Sequence, residues 1–384
     1  MVRFIATATV LASMQAVCGQ SLIDRAKNAQ LADYFEPHKD DKLLRCEATP
    51  IRPSLNFSFR FQSGYLFRVP LNQFEGAGHR WTILTRVRPA NESAPSLLGV
   101  EYVLPRVPKT RSVVEWGGVF WIGEGSYTID WLLFDELDRV CRKTWKIEAK
   151  LSSGEHGVDP GIAPGKVAEV SFRGWSPQET AKVDAPVLDR LTIFLHAAPL
   201  FPRLTRLRVQ DRLTLLGSLA SLLESVPARA VRLVIFNLDQ QKELFRDDNF
   251  TPQAFPRAAR SMSSLQLEVV DYHVLTNQRG HIDLLKDLMN QELESGKPAD
   301  AVIFLGPGGR YLDKVPKNAF DEQPGDRMHF FYLQYKPFMR ARAEFPDSIE
   351  LAVRKVHGRK LVIRTPEDFA KSIKQVETQI LARN

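Results

Sequence analysis

The sequence predicts two domains of different class: an antiparallel, immunoglobulin-like β-sandwich over residues 20–151, then a doubly wound, Rossmann-like α/β domain over residues 188–384. Three observations carry this expectation. A hydrophobic period of two runs from about Leu43 to Leu151. From Leu188 onward, continuous apolar runs alternate with stripes at three- and four-residue spacing. Between them, residues 152–187 are rich in Gly and Pro and read as a linker with at most one short strand near Val167–Phe172. A length of 384 residues suits two domains, each long enough to bury its own core.

In the first half, Phe57, Phe59 and Phe61 alternate with Ser58, Arg60 and Gln62. Ser63-Gly64 is expected to turn the chain before Tyr65, Phe67 and Val69 alternate again, as in a hairpin. Tyr127, Ile129, Trp131 and Leu133 form another strand pattern. The acidic connection Asp135-Glu136-Leu137-Asp138 then leads into Cys141, Trp145 and Ile147. Residues 20–42 leave room for one short helix.

In the second half, the strand candidates are Leu191–Leu195, Val231–Phe236, Ala301–Leu305, Phe330–Leu333 and Lys360–Ile363, with a short return strand near Glu243–Arg246. Leu215, Leu216, Leu219, Leu222, Leu223 and Val226 form one helical stripe, and Ile282, Leu285, Leu288 and Met289 another. Asp347 and Glu350 suggest a capping box ahead of Ile349, Val353 and Val356, with Gly358 closing that helix. The last helix opens with Thr365 as N-cap, Pro366 at the first helical position and Asp368 completing the box.

The N-terminus has one early charge, Arg3, then an apolar stretch from Phe4 to Val17 and a small-residue exit. That form predicts a secretory signal peptide over residues 1–19, cleaved after Gly19, and an exported, periplasmic or extracellular protein in a bacterial setting. A lipoprotein signal would use Cys18, but it wants a small residue where Val17 stands. Cleavage would remove Arg3 and no acid, taking the formal net charge from +7 to +6. Of three cysteines, Cys46 and Cys141 would remain, and an even pair in an oxidising compartment predicts a disulfide. Its loop of roughly 100 residues makes it worth at most about 4–5 kcal/mol in the chain-entropy model. Basic clusters at Arg203, Arg206, Arg208 and Arg212, and at Arg354, Lys355, Arg359 and Lys360, lack interleaved aromatics, so no nucleic-acid partner is expected. No apolar run reaches the roughly 20 residues of a membrane-spanning helix.

Open parallel sheets bind ligands beyond the carboxyl ends of their strands. Here those ends are His196-Ala197-Ala198-Pro199-Leu200 and Gly306-Pro307-Gly308-Gly309-Arg310, two loops expected to face each other. With this order of strands and helices, the half resembles a von Willebrand factor A domain, and the whole chain resembles exported bacterial proteins related to that family. The family's first strand ends in Asp-x-Ser-x-Ser, a later loop supplies Thr, and the fourth strand ends in Asp-Gly. Together they hold a divalent cation that a partner's carboxylate completes. In this chain the corresponding positions are His196, Ala198, Leu200 and Gly306, with Thr276 near the Thr position. Ala, Leu and Gly offer no side-chain oxygen to a hard cation. The resemblance therefore implies an A-like domain with its cation site dismantled, and no cofactor.

The first functional reading is a non-enzymatic, exported protein–protein interaction module. Its candidate contact rim is His196, Arg203, Arg206 and Arg310. The alternative is a cell-envelope hydrolase using His196 in the same crevice, which requires a carboxylate within hydrogen-bond reach. Gly306–Arg310 lacks both the Walker pattern and the full Gly-x-Gly-x-x-Gly spacing, since Tyr311 holds the last glycine position. His38 with Asp40 and Asp41, and Asp283 with Asp287, read as solvated charge. Asn56-Phe57-Ser58 and Asn91-Glu92-Ser93 match a glycosylation sequon without functional weight in a bacterial setting.

Overall fold

The computed structural model describes residues 20–24, 31–39, 41–91, 94–170, 188–201, 204–226, 228–265, 267, 272–310, 315–316, 319–320, 328–336 and 346–381. The expected signal peptide, Cys18 within it, and residues 171–187 of the expected linker lie outside that set. Two compact units result. Among the described residues, the first gathers 20–54, Gln62–Ala149 and Ile162–Val170; the second gathers Leu55–Phe61, Lys150–Gly161 and everything from 188 on.

The first unit is built from β1 (Ser21–Leu22), β2 (Lys42–Leu43), β3 (Glu47–Leu55), β4 (Phe61–Pro70), β5 (Arg80–Pro89), β6 (Ser96–Val103), β7 (Val113–Ile122), β8 (Gly125–Asp135), β9 (Arg139–Ala149) and β10 (Val167–Ala168). They form a six-stranded sheet of order β1-β6-β5-β8-β9-β2 and a four-stranded sheet of order β10-β7-β4-β3. Period-two alternation turns one face of each sheet inward. Tyr65 and Phe67 of β4 thus meet Trp131 of β8 at ring-centroid distances of 5.4 and 5.7 Å, in a core shared with Trp81, Ile83 and Leu133. Cys46, just before β3, is bridged to Cys141 in β9 as expected, with their Cα atoms 6.1 Å apart. Leu132 stands on the face where the alternation called for a polar residue. It packs there with Phe35, Leu84 and Leu97, so the stretch from Leu31 to Phe35 covers part of that outer face.

The hairpin turn is not at Ser63-Gly64. Both residues lie inside β4, and the chain reverses at Asn56–Arg60. The Asn56 side chain organises this turn: its Oδ1 accepts from the Ser58 and Arg60 amides at 2.9 and 3.2 Å and from the Ser58 hydroxyl at 2.8 Å. Phe59 accordingly adopts φ 53°, a turn conformation that no strand residue would hold. Gly64 marks a close cross-strand approach instead. A Cβ there would stand 2.1 Å from the Gly118 carbonyl oxygen.

The second unit holds β11 (Leu188–His196), α1 (Val209–Ser225), β12 (Ala228–Asn237), β13 (Lys242–Asp247), α2 (Phe255–Ser263), α3 (Tyr272–Thr276), α4 (Gly280–Leu293), β14 (Ala301–Pro307), β15 (His329–Tyr335), α5 (Ser348–Lys355), β16 (Arg359–Ile363) and α6 (Pro366–Leu381). The sheet order is β13-β12-β11-β14-β15-β16, parallel at every pairing except β12 with β13. Each apolar run supplies both faces. Leu191, Ile193 and Leu195 join the stripe of α1 and Phe369, Ile373 and Val376 of α6. Phe194, Phe236, Phe304 and Tyr332 join Leu285 and Met289 of α4 and Ile349 of α5 on the other side. Burial of one such Leu or Ile side chain stabilises the unit by about 1.5–3 kcal/mol. The Thr365 capping box forms as expected: Asp368 N donates to Thr365 Oγ1 and Thr365 N to Asp368 Oδ2, both at 3.1 Å. At α5 only half of the expected box forms. Asp347 accepts from Glu350 N at 2.9 Å, while the Glu350 carboxylate turns to Arg354 and Lys360. Helix α2 was not anticipated, because its stripe of Phe255, Ala258 and Met262 is short and follows a proline-opened turn.

Candidate functional site at the strand ends

The carboxyl ends of β11 and β14 lie side by side, with Leu195 paired to Leu305. The next residue of β14, Gly306, has φ 144°, and a Cβ there would stand 2.7 Å from the His196 carbonyl oxygen. The two loops therefore face one another, and only glycine suits this crossing. Beyond it, the His196 imidazole stacks on Phe236 with centroids 5.2 Å apart, and its Nδ1 lies 2.9 Å from the Pro307 carbonyl oxygen. A carbonyl only accepts, so Nδ1 carries the proton. That leaves Nε2 as an acceptor, buried and without a hydrogen-bond partner among the described residues. Burial pushes the His196 pKa below its ordinary 6.5, against the Pro307 hydrogen bond and the charges of Asp239 and Asp347, which favour protonation.

Near enough for its charge to act on this ring is a carboxylate, Asp347, that sequence reasoning identified only as a helix cap. Asp347 Oδ2 accepts from Gln334 Nε2 at 2.6 Å and from the Tyr332 hydroxyl at 3.1 Å, while Oδ1 caps α5. Gly308 passes so close that a Cβ would meet Asp347 Oδ2 at 2.7 Å. Burial raises the Asp347 pKa, opposed chiefly by the Glu350 amide and the Tyr332 hydroxyl. The signal available in the sequence was faint: Tyr332 and Gln334, two polar-tipped residues in the run of a central strand. At the other side of the loop, Arg310 pairs with Asp239 at 3.3 Å and donates to the Leu204 carbonyl. Asn237 ties the loops further, donating to the Ala197 carbonyl at 2.7 Å.

The predicted rim residues are thus separated by depth. His196 is 2% exposed and lies beneath the rim on which the sequence placed it, because the Pro307 backbone and the Phe236 ring cover it. Arg206 is exposed, Arg310 is partly exposed within its ion pair, and Arg203 lies outside the described residues. At the family's ligand positions, Ala198 and Leu200 are buried apolar side chains. Thr276 is distant in role: its hydroxyl donates to the Tyr272 carbonyl at 3.1 Å within α3. Among the described residues, no three His, Cys, Asp or Glu side chains converge as a metal set. The Asp211 carboxylate stays with the start of α1, accepting from the Arg208 and Leu200 amides. The His38 ring meets the Asp33 carbonyl at 3.2 Å, and Asp41 pairs with Arg142.

No helix among the described residues is long and apolar enough to cross a membrane. No family model matches the chain, and no curated protein matches it. Among solved structures, the X-ray structure of Northeast Structural Genomics Consortium target SoR45 is similar at 15% identity, covering 29% of this chain and 94% of its own, with a TM-score of 0.19. A likeness at that level carries no argument about fold or function.

Proposed function

We propose that this chain is an exported, non-enzymatic protein–protein interaction module whose second unit is a von Willebrand factor A-like domain that has lost its cation site. One observation carries the reading: at the strand ends, His196 Nδ1, Asp347, Asp239 and Arg310 are engaged within the unit, and positions 198, 200 and 306 hold no side-chain oxygen. His196 serves Pro307, Asp347 serves Tyr332, Gln334 and α5, and Asp239 serves Arg310. The sheet order with a single antiparallel strand beside β12 supports the A-like reading. The Gly306 backbone argues the same way, since an aspartate at that position would collide with β11. A disulfide between Cys46 and Cys141 is compatible with export. Against a hydrolase, His196 bonds a backbone carbonyl rather than a carboxylate and is shielded from solvent.

Contacts to a partner would then come from the exposed arginines of the rim, Arg206 and Arg310, with His196 holding the loops in place. Thermal unfolding of the mature protein in EDTA, then in millimolar Mg²⁺, Ca²⁺, Mn²⁺ or Zn²⁺, tests the reading. A cation at 100 times its dissociation constant adds about 2.7 kcal/mol to the unit that binds it. The expected result is an unchanged midpoint with every ion. A shift with Mg²⁺ or Mn²⁺ would restore an adhesion-type metal site and overturn the proposal; a shift with Zn²⁺ alone would favour chemistry at His196.

A further inference from the structure

The first unit leaves open what the second closes. In the six-stranded sheet, β9 has β8 along one side, but on the other side β2 covers only Arg139 and Val140. Leu44 N extends that pairing by one bond, to the Val140 carbonyl at 3.0 Å, before the chain leaves at Cys46 for β3 of the other sheet. Among the described residues, no strand follows β2 in the sheet order. Alternate residues of a strand direct their N–H and C=O to the same side. The Val140 carbonyl faces β2, so the backbone groups of Arg142, Thr144, Lys146 and Glu148 face the open edge. Thr144, Lys146 and Glu148 are exposed.

Where β2 departs, a cavity of about 700 Å³ opens against the same edge. Its apolar wall is Leu44, Pro70, Val113 and the disulfide, and Leu43 stands 79% exposed at its mouth. That volume lies within the usual range for sites that take small ligands or apolar side chains. Its charges are unequal. Arg68 is paired with Glu115 at 2.6 Å, and Arg142 with Asp41 and the Tyr34 and Glu36 carbonyls. Arg45 donates to Asn72 at 3.1 Å yet stays exposed, and exposed Lys143 has no ion pair among the described residues. Glu47 is the acid on the wall that opposes them.

We propose that the β9 edge is a strand-addition site for an extended acidic segment of a partner protein, with apolar side chains entering the cavity and carboxylates meeting Lys143, Lys146 and Arg45. Strand addition draws affinity from main-chain hydrogen bonds and specificity from pockets for alternate side chains, and this edge supplies both. Lysines along an open edge repel a second copy of that edge and discourage neutral strands. The same charges fit an acidic strand. Glu148 restricts the acidic stretch to the Lys143–Lys146 half. This inference is independent of the strand ends in the second unit.

The test uses the full mature chain and a synthetic dodecapeptide repeating Val-Glu-Glu-Glu, which sets Val and Glu in turn on the cavity face beside Lys143 and Glu along the opposite face beside Lys146, with its Val–Lys counterpart and an N-methylated Val–Glu version. The acidic peptide is expected to bind and to slow hydrogen exchange at amides of residues 142–148. Lys146→Pro removes an outward N–H that the native ladder does not use, and is expected to weaken binding at least about tenfold. Should that variant fail to fold, the charge reversal Lys143→Glu with Lys146→Glu is expected to lose the Val–Glu peptide and gain the Val–Lys one. Equal binding of both peptides, undiminished binding of the N-methylated one, or protection away from β9 would overturn the proposal. So would concentration-dependent protection of the same amides without peptide, which would make a second copy the occupant.

Discussion

The strand ends of the second unit and the β9 edge of the first handle backbone and side-chain polar groups in opposite ways. At the strand ends, glycines at 306 and 308 let two loops close until His196, Asp347 and Arg310 each find partners inside the unit. At the β9 edge, the pairing strand lasts two residues and the ladder stops. The difference teaches where binding free energy can come from. A polar group already hydrogen-bonded in the fold gains little by exchanging partners, whereas an unpaired strand edge offers donors and acceptors that only water satisfies. The strand ends of the second unit are thus more closed than the β9 edge of the first.

The most forceful way to break this comparison is to remove the staple beside the open edge. Replacing Cys46 and Cys141 by Ser is expected to cost the first unit about 2–5 kcal/mol. The loss would appear in denaturant unfolding followed by the tryptophans around Trp81 and Trp131, which belong to this unit's core. An unaltered midpoint would mean that the corner at Cys46 is held by packing alone. A smaller effect is expected at the closed end. Gly306→Ala places a methyl against the His196 backbone at a positive φ, and is expected to destabilise the second unit by about 1–3 kcal/mol. Unchanged stability would show that the two loops separate freely, and the strand ends would then be open after all.

The smallest effect sharpens the electrostatics. Burial holds the folded-state pKa of His196 below 6.5, so between that lowered value and 6.5 the unfolded chain binds a proton that the folded chain does not. Stability from this residue is therefore full above 6.5 and is lost progressively as pH falls below it. His196→Gln should flatten that part of the stability–pH curve in urea titrations between about pH 7.5 and 5. An identical slope in the variant would mean that the imidazole is protonated in the fold, which only a reoriented Asp347 or Asp239 would allow.

Much of the architecture is legible in the residues. The stripes at 215–226 and 369–380, the capping box at Thr365 and Asp368, and the apolar runs from Leu191 and Ala301 all form the elements their spacing implies. Local patterns fail where a side chain or a neighbouring strand overrides them. The Phe57–Phe61 alternation continues a strand pattern into a turn, because Asn56 captures three local donors. Ser63-Gly64 looks like a turn but permits close cross-strand contact. The candidate site was legible in part: the opposition of the His196 and Gly306 loops follows from strand order. Asp347 was legible only as a cap, since its second role depends on Tyr332 and Gln334 arriving from a neighbouring strand.

The sequence by itself determined the class of each half, because hydrophobic period and capping are local properties that a few adjacent residues impose on the backbone. It also leaves positions 198, 200 and 306 without a side-chain oxygen in any conformation, because Ala, Leu and Gly carry none. Only the tertiary structure decided which polar groups are satisfied. Whether His196 meets a carbonyl or a carboxylate, whether Asp347 is solvated or enclosed, and where the pairing of β9 stops depend on residues more than 100 positions apart in several cases coming within hydrogen-bond distance. Such distances are set by packing of whole elements, and no local pattern encodes them.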